Sequence, residues 1–337
     1  MEIVLLVSLL ISFFLTALIV PKWIKKCKQV DLLWEDMNKY NHPKNVASSG
    51  GIIVVMSFIL GVLFYIAIKT FILKINVTTV EIFALLTVIL ILAIVGLTDD
   101  LLGWRHGGLS WRFRLFLAIF ASIPLIVINA GDSGIELPFL GAVNIGILYP
   151  LVFIPIGIAG ATTTYNFLAG FNGLETGQGI IILSFLSFIA YVTGSSWISL
   201  IGLIMAASLI GFYIYNKYPA KVFPGDILTY SIGALIACMA ILGNFEKIAV
   251  FIFIPYILET FLKVRGKLKK QSFGIPQKDG SLEMPYAKIY GLEHLAIKIL
   301  KKIKGKAFER DVVYLIFAFQ IFLCLLALLI FRNFLFY

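Results

Sequence analysis

Charged residues vanish from long stretches of this chain, and the stretches share a common length. Residues 3–21, 45–68, 82–98, 115–131, 227–245 and 312–331 contain no Asp, Glu, Lys or Arg. Each is about long enough, at ~1.5 Å of rise per residue, to carry one helix across a hydrocarbon core of ~30 Å. Two longer runs, 137–174 and 176–216, must hold more than one element. The first reads as a helix near 146–165 followed by a loop bearing Gly and Asn, the second as two helices parted at Gly194, Ser195 and Ser196. A further span near 246–263 has Lys247 and Glu259 at its ends. The pattern predicts an all-α polytopic membrane protein of about ten transmembrane helices, with residues 1–337 as a single integral membrane domain.

Composition agrees with that class. Of the 337 residues 60% are apolar and 14% charged, against roughly half and a quarter in soluble domains, so no soluble surface can be built. The 28 Lys and Arg add orientation. With the N-terminus outside, all of them except Lys69, Lys74, Lys247 and Arg332 fall in inside loops, as the positive-inside bias requires. Both termini then lie outside a cell membrane, and the polar loops face the cytoplasm. The net charge of +10 is first a topogenic signal beside anionic membrane lipid, and second an attraction for anionic substrates. It does not imply nucleic acid. The first helix has its Lys cluster on the C-terminal side and no small-residue cleavage site, and reads as a retained span. Cys27, Cys238 and Cys324 form no CxxC pair and read as structural thiols. His42, His106 and His294 have no zinc-type spacing.

The inside loops carry polar residues that topology does not demand. In the first, Glu35, Asp36, Asn38 and Lys39 cluster, and Ser48 to Gly51 open the second helix. Free backbone N–H groups at such a helix start can take a phosphate, although Gly50 and Gly51 also suit close helix packing. In the second, Asp99 and Asp100 are adjacent acids at the end of a span. They want a counter-charge unless they are a solvated turn; Mg²⁺, Arg105, Arg112 and Arg114 are the candidates. In the third, Asn166, Asn172, Gly173 and Glu175 interrupt an otherwise apolar stretch, and the Asn pair points to irregular backbone lining a wet cavity. Thr162 to Thr164 need do no more than bond helix backbone. In the fourth, Asp226 follows Pro224 and Gly225 at the head of a helix. It is either an N-cap or, with Asp99 and Asn166, one of several oxygen donors suited to Mg²⁺. The fifth loop, 263–310, is long and basic, with a turn at Lys278, Asp279 and Gly280 and an amphipathic, interfacial helix in "LAIKILKKIKGK".

Taken in order, "TDD" at 98–100, "NFLAGFNGLETGQ" from Asn166 and "YPAKVFPGD" at 218–226 resemble the motifs of the polyprenyl-phosphate N-acetylhexosamine-1-phosphate transferase superfamily. The Asn-x-Leu-Ala-Gly-x-Asn-Gly-Leu-Glu form is similar to the eukaryotic and archaeal branch that acts on dolichyl phosphate. Bacterial cell-wall members typically carry Asp-Gly-Leu-Asp-Gly instead. The resemblance implies transfer of N-acetylglucosamine-1-phosphate from UDP-N-acetylglucosamine to a polyprenyl or dolichyl phosphate, with release of UMP. It implies that Asn166 and Asp226 coordinate Mg²⁺, with Mn²⁺ as a substitute, and that Asp99 and Asp100 are the paired acids near the acceptor phosphate. Arg114 falls where the family usually has Lys. Glu35, Asp36 and Met37 would lie along the nucleotide, Asn172 and Glu175 would contact the sugar nucleotide, and Ser48 stands where a Glu precedes the second helix. The family's Arg-His-Arg or His-rich group is missing from the fifth loop, where Lys278 would supply charge to the pyrophosphate. Homodimer formation is left open. The same chemistry on another UDP-N-acetylhexosamine or cell-wall precursor is the nearest alternative. An ion-coupled transporter is the alternative from another class, against which the acids sit at helix ends and not at the midplane.

Overall fold

The computed structural model describes residues 2–74, 77–137 and 141–336, and it is mostly helical. The helices are α1 (Glu2–Gln29), α2 (Gly51–Ala67), α3 (Thr79–His106), α4 (Trp111–Phe120), α5 (Ile123–Val127), α6 (Ile154–Tyr165), α7 (Leu174–Val192) and α8 (Ser196–Asn216). They continue with α9 (Asp226–Gly243), α10 (Glu246–Ile252), α11 (Ile254–Arg265), α12 (Leu292–Lys304), α13 (Glu309–Ile330) and α14 (Arg332–Phe336). Among the described residues, seven helices are long and apolar enough to cross a membrane: Leu6–Gln29, Gly51–Leu73, Thr79–Gly103, Leu174–Val192, Ser196–Asn216, Asp226–Gly243 and Glu309–Ile330. The chain is an all-α membrane protein.

The other three spans expected from the sequence are each made of two pieces. Residues 115–131 divide into α4 and α5 just before Pro124, and residues 246–263 divide into α10 and α11 just before Pro255. The span near 146–165 begins as a π-helical turn, Tyr149–Phe153, that holds Pro150, and becomes α6 one residue before Pro155. The cause is common to all three, because proline lacks the N–H that would continue the ladder and its ring clashes with the preceding turn. A count of charge-free residues cannot see that interruption.

Helix α9 is the hub. Every residue from Ile227 to Ile241 is buried, and it packs on α3, α6, α7 and α2. Small residues set its closest approaches. A Cβ on Gly233 would stand 2.7 Å from the Ala161 carbonyl oxygen of α6, and one on Gly96 of α3 would stand 2.5 Å from that of Asp226. Contacts this near are open only to glycine, and they hold α3 and α6 against the first turns of α9.

Three short antiparallel hairpins complete the fold: β1 (Leu33–Glu35) with β2 (Lys44–Ala47), β3 (Gly134–Leu137) with β4 (Gly141–Asn144), and β5 (Ile275–Pro276) with β6 (Leu282–Glu283). The last lies in the long basic loop, where Asp279 accepts from Lys306 at 2.6 Å and from the Ser281 amide at 3.0 Å. Helix α12 follows. It buries Leu292, Ala296, Ile297 and Leu300 against α13 and α11, while Ile303 remains 74% exposed among lysines.

His294 of α12 is fully buried, and its Nδ1 accepts from the Tyr290 amide at 3.3 Å. Burial, with Lys263 alongside, lowers the imidazole from its ordinary 6.5 to about 4. The folded protein therefore takes up this proton less readily than the unfolded chain, and stability drains away as pH falls from 6.5 toward about 4. Replacing His294 by Gln keeps a neutral side chain and is expected to flatten that part of a plot of melting temperature against pH. An equally steep acid loss in His294→Gln would show that another group is responsible.

Candidate active site

The contact of Gly96 with α9 brings the next turn of α3 to the start of α9, and that turn holds both acids of the "TDD" segment. The Asp100 carboxylate accepts from the backbone N–H of Asp226 at 2.7 Å and of Ile227 at 3.3 Å. It caps α9 from a different helix, a favourable place for negative charge. Residue 225 must be glycine for this, since its φ is +73° and a Cβ there would collide with the Asp100 carboxyl. The two readings of Asp226 are thereby separated. Its own side chain is not the cap, and the carboxylate lies 3.4 Å from Arg114 Nη1.

Arg114 is the counter-charge that Asp99 needs, at 2.7 Å. The other Asp99 oxygen accepts from the Leu109 amide. That bond folds the 107–110 loop back onto α3, and Ser110 then caps α4 by accepting from the Phe113 amide at 3.4 Å. Of the other candidates, Arg112 lies over the Trp111 ring at 5.4 Å, and the Arg105 side chain falls outside the described residues. Three carboxylates, Asp99, Asp100 and Asp226, are thus gathered with one guanidinium.

Asn166 closes α6 and joins this group through Thr229, whose hydroxyl donates to Asn166 Oδ1 at 3.0 Å or to the Asp226 carbonyl at 3.2 Å. Thr229 was missed in the sequence, although it stands one helical turn after Asp226 on the same face. The loop beyond Asn166 turns at Gly170, whose N–H donates to Glu175 Oε1 at 2.8 Å. Asn172 and Asp36 sit one layer behind the site and not at its surface. The Asn172 amide donates to Asp36 at 3.3 Å and accepts from the Ala220 N–H at 2.6 Å, while its backbone N–H donates to Glu309 at 2.8 Å. Lys39 pairs with Glu309 and with Asp36, and lies 4.0 Å over the Tyr218 ring. Four loops are tied together by this buried network.

One expectation is corrected. The amides of Gly50 and Gly51 are not free for phosphate, because they donate to the carbonyls of Phe223 and Pro224, each at 2.9 Å. Helix α2 is docked there on the fourth loop, and the glycines serve close packing. Lys278 is exposed in the turn of the β5–β6 hairpin and is not among the residues that line the site's cavity. The fifth loop reaches the site through Phe273 instead.

The group lines a cavity of about 380 Å³, with Asp99, Asp100, Arg114, Asn166, Glu175 and Asp226 on its polar side. Glu35, Met37 and Ser48 border it, and Trp34, Phe171 and Phe223 give aromatic walls. A second cavity of about 610 Å³ shares Arg114, Asn166, Ala169 and Phe273 with the first. It continues along Trp111, Leu115, Phe167, Val264 and Leu268, and Lys263 and Lys270 also line it. An acidic and polar chamber therefore meets a mainly apolar groove at Arg114. That arrangement defines a membrane enzyme able to bring a polar substrate to one with a long apolar body.

The sequence profile of glycosyl transferase family 4 matches residues 82–244, which hold Asp99, Asp100, Arg114, Asn166, Glu175 and Asp226. A Saccharolobus solfataricus protein provisionally named UDP-N-acetylglucosamine–dolichyl-phosphate N-acetylglucosaminephosphotransferase is 35% identical over 328 residues, covering 96% of each chain. The Dictyostelium discoideum UDP-N-acetylglucosamine–dolichyl-phosphate N-acetylglucosaminephosphotransferase is 32% identical, over 77% of this chain and 70% of its own. A phospho-N-acetylmuramoyl-pentapeptide-transferase of Streptococcus suis is 28% identical over 76% of this chain and 77% of its own. The chain belongs to glycosyl transferase family 4.

Assembly of the carboxylates depends on the α3–α9 contact. Gly96→Val is expected to force those helices apart and to destabilise the protein by about 1–3 kcal/mol, as overpacking does. Thermal unfolding of the purified variant measures it, and an unchanged melting temperature would remove Gly96 from this role.

Proposed function

We propose that this enzyme transfers N-acetylglucosamine-1-phosphate from UDP-N-acetylglucosamine to a polyprenyl phosphate of the dolichyl type, releasing UMP. The observation that carries the reading is the meeting of the two cavities at Arg114, beside Asn166 and Asp226. The names of the relatives at 35% and 32% identity support the same substrates.

The donor occupies the first cavity, where Trp34 and Phe223 offer aromatic faces to the uracil ring. The acceptor's isoprenoid chain lies in the apolar groove, with its phosphate at the shared end near Arg114. Asn166 and Asp226 fit a Mg²⁺ ion, or Mn²⁺ in its place. They are hard oxygen donors that line the same cavity, and such an ion keeps its other positions for water and phosphate oxygens. When bound, the ion would neutralise the pyrophosphate and stabilise the departing UMP.

An acceptor phosphate oxygen attacks the sugar-bearing phosphorus in line, and the bond from that phosphorus to the UMP oxygen breaks. The acceptor is already ionised, so positioning supplies most of the rate. Both oxygens of Asp99 are engaged, one by Arg114 and one by Leu109, so its part is to aim the guanidinium. Asp100 acts through α9, by holding Asp226 in place.

The reading extends to topology. Seven continuous helices and three broken ones make ten passes, with both termini outside. The bonds that join Asp36 to Asn172, Asn38 to Gly274 and Asp100 to Asp226 support placing the inside loops at one end, and the excess of Lys and Arg in those loops supports a cytoplasmic face. On α12 the exposed lysines around Ile303 meet the lipid surface.

Membranes containing the protein are expected to release UMP from UDP-N-acetylglucosamine only when polyprenyl phosphate and Mg²⁺ are both present. Competing UDP-sugars in the same assay test the choice of sugar. Asp226→Ala is expected to lower the rate by about 10²-fold or more, as loss of a charge-stabilising group does. Undiminished activity in that variant would sink the metal assignment.

A further inference from the structure

Four residues, Arg114, Asn166, Ala169 and Phe273, border both cavities, and one of them is an aromatic ring from the otherwise distant fifth loop. The ring is held with unusual thoroughness. It lies against Gly170, where φ is +104° and an added Cβ would stand 2.7 Å from the ring edge. On its C-terminal side, the Gly274 N–H donates to Asn38 Oδ1 at 3.1 Å, and the same Asn38 amide donates to the Gly170 carbonyl at 2.9 Å. Asn38 is buried and staples the two loops face to face. On the N-terminal side, the buried Ser272 hydroxyl accepts from Lys263, which is itself paired with the fully buried Glu259 at 3.4 Å. Both neighbours of Phe273 are therefore pinned by buried polar groups. Leaving such groups unpaired is costly, so the clamp resists any drift of the ring.

The geometry points to Phe273 as a partition that keeps water from the junction of the two cavities, and so directs the donor's phosphoryl group to the lipid phosphate. The inference rests on the transfer reaction proposed above. A phosphorus atom activated for attack by one oxygen nucleophile is open to attack by another, and exclusion of water is how an enclosed site suppresses that side reaction. In the competing reaction a water oxygen attacks the sugar-bearing phosphorus, the bond to the UMP oxygen breaks, and UMP leaves with the bonding electrons. The water proton passes to solvent. The products are UMP and free N-acetylglucosamine-1-phosphate.

The test uses the full-length protein in vesicles with polyprenyl phosphate, UDP-N-acetylglucosamine, Mg²⁺ and ¹⁸O-labelled water. It reads the ratio of free ¹⁸O-bearing N-acetylglucosamine-1-phosphate to lipid-linked product. Phe273→Ala is expected to raise that ratio about tenfold, and Phe273→Leu, which restores most of the bulk, to bring it back toward wild type. Asn38→Ala, which frees one side of the clamp, should raise it by less. Poor folding lowers both products together and leaves the ratio unmoved. If Phe273→Ala yields neither product, Phe273→Val decides by the same ratio. A ratio that stays at the wild-type value in the truncated variant overturns the partition, even where transfer is slowed. A wild-type protein that makes no lipid-linked product overturns the proposed function instead.

Discussion

The structure turns on the gathering of like charge at the meeting of α3 and α9. Asp99, Asp100 and Asp226 come from two helices, and among the described residues Arg114 is the guanidinium that pairs with Asp99 and Asp226. Carboxylates this close repel one another unless hydrogen bonds or a cation offset the repulsion. Part of the offset is built into the backbone. Asp100 is held by two amides of α9, and one oxygen of Asp99 by the amide of Leu109. Asp226 has Arg114 as its charged neighbour, and it is the carboxylate least occupied by the protein itself. The glycines at 96 and 225 are the steric condition for assembling the cluster.

A second layer gives that cluster its shape. Asn172, Asp36, Lys39 and Glu309 belong to loops and helix starts far apart in the chain, yet each polar group meets a partner from another segment. Buried networks of this kind fix one arrangement because a partial set of bonds is worse than none. Their effect on chemistry is indirect, since they set where Gly170, Glu175 and the fourth loop stand relative to Asp226.

Much of this was legible in the sequence, and the exceptions have physical causes. Charge-free length located the helices, because an unpaired charge in hydrocarbon is expensive wherever it falls. The breaks before Pro124 and Pro255 were written in the chain but are invisible to a reading by charge alone. Asp226 could not be separated into cap or donor, because the acceptor that caps α9 comes from a residue 126 positions earlier. The amides of Gly50 and Gly51 looked free for the same reason, since their acceptors lie in the fourth loop. Lys278 had the right charge but stands exposed in a hairpin turn and does not line the cavity. Phe273 carried no signal at all, being one of 29 phenylalanines. Local chemistry was readable, whereas its partners across the fold were not.

The residues around the apolar groove come from α4, α6, α11 and the loops that follow them. These are the three spans that proline interrupts, while the seven continuous helices stand elsewhere in the bundle. The unbroken helices make a rigid frame, and the wall next to lipid is jointed. On the proposed function, a long isoprenoid would enter this groove from the bilayer, between the segments that proline interrupts. The thickness and fluidity of the surrounding membrane thereby become a part of the enzyme's own compliance.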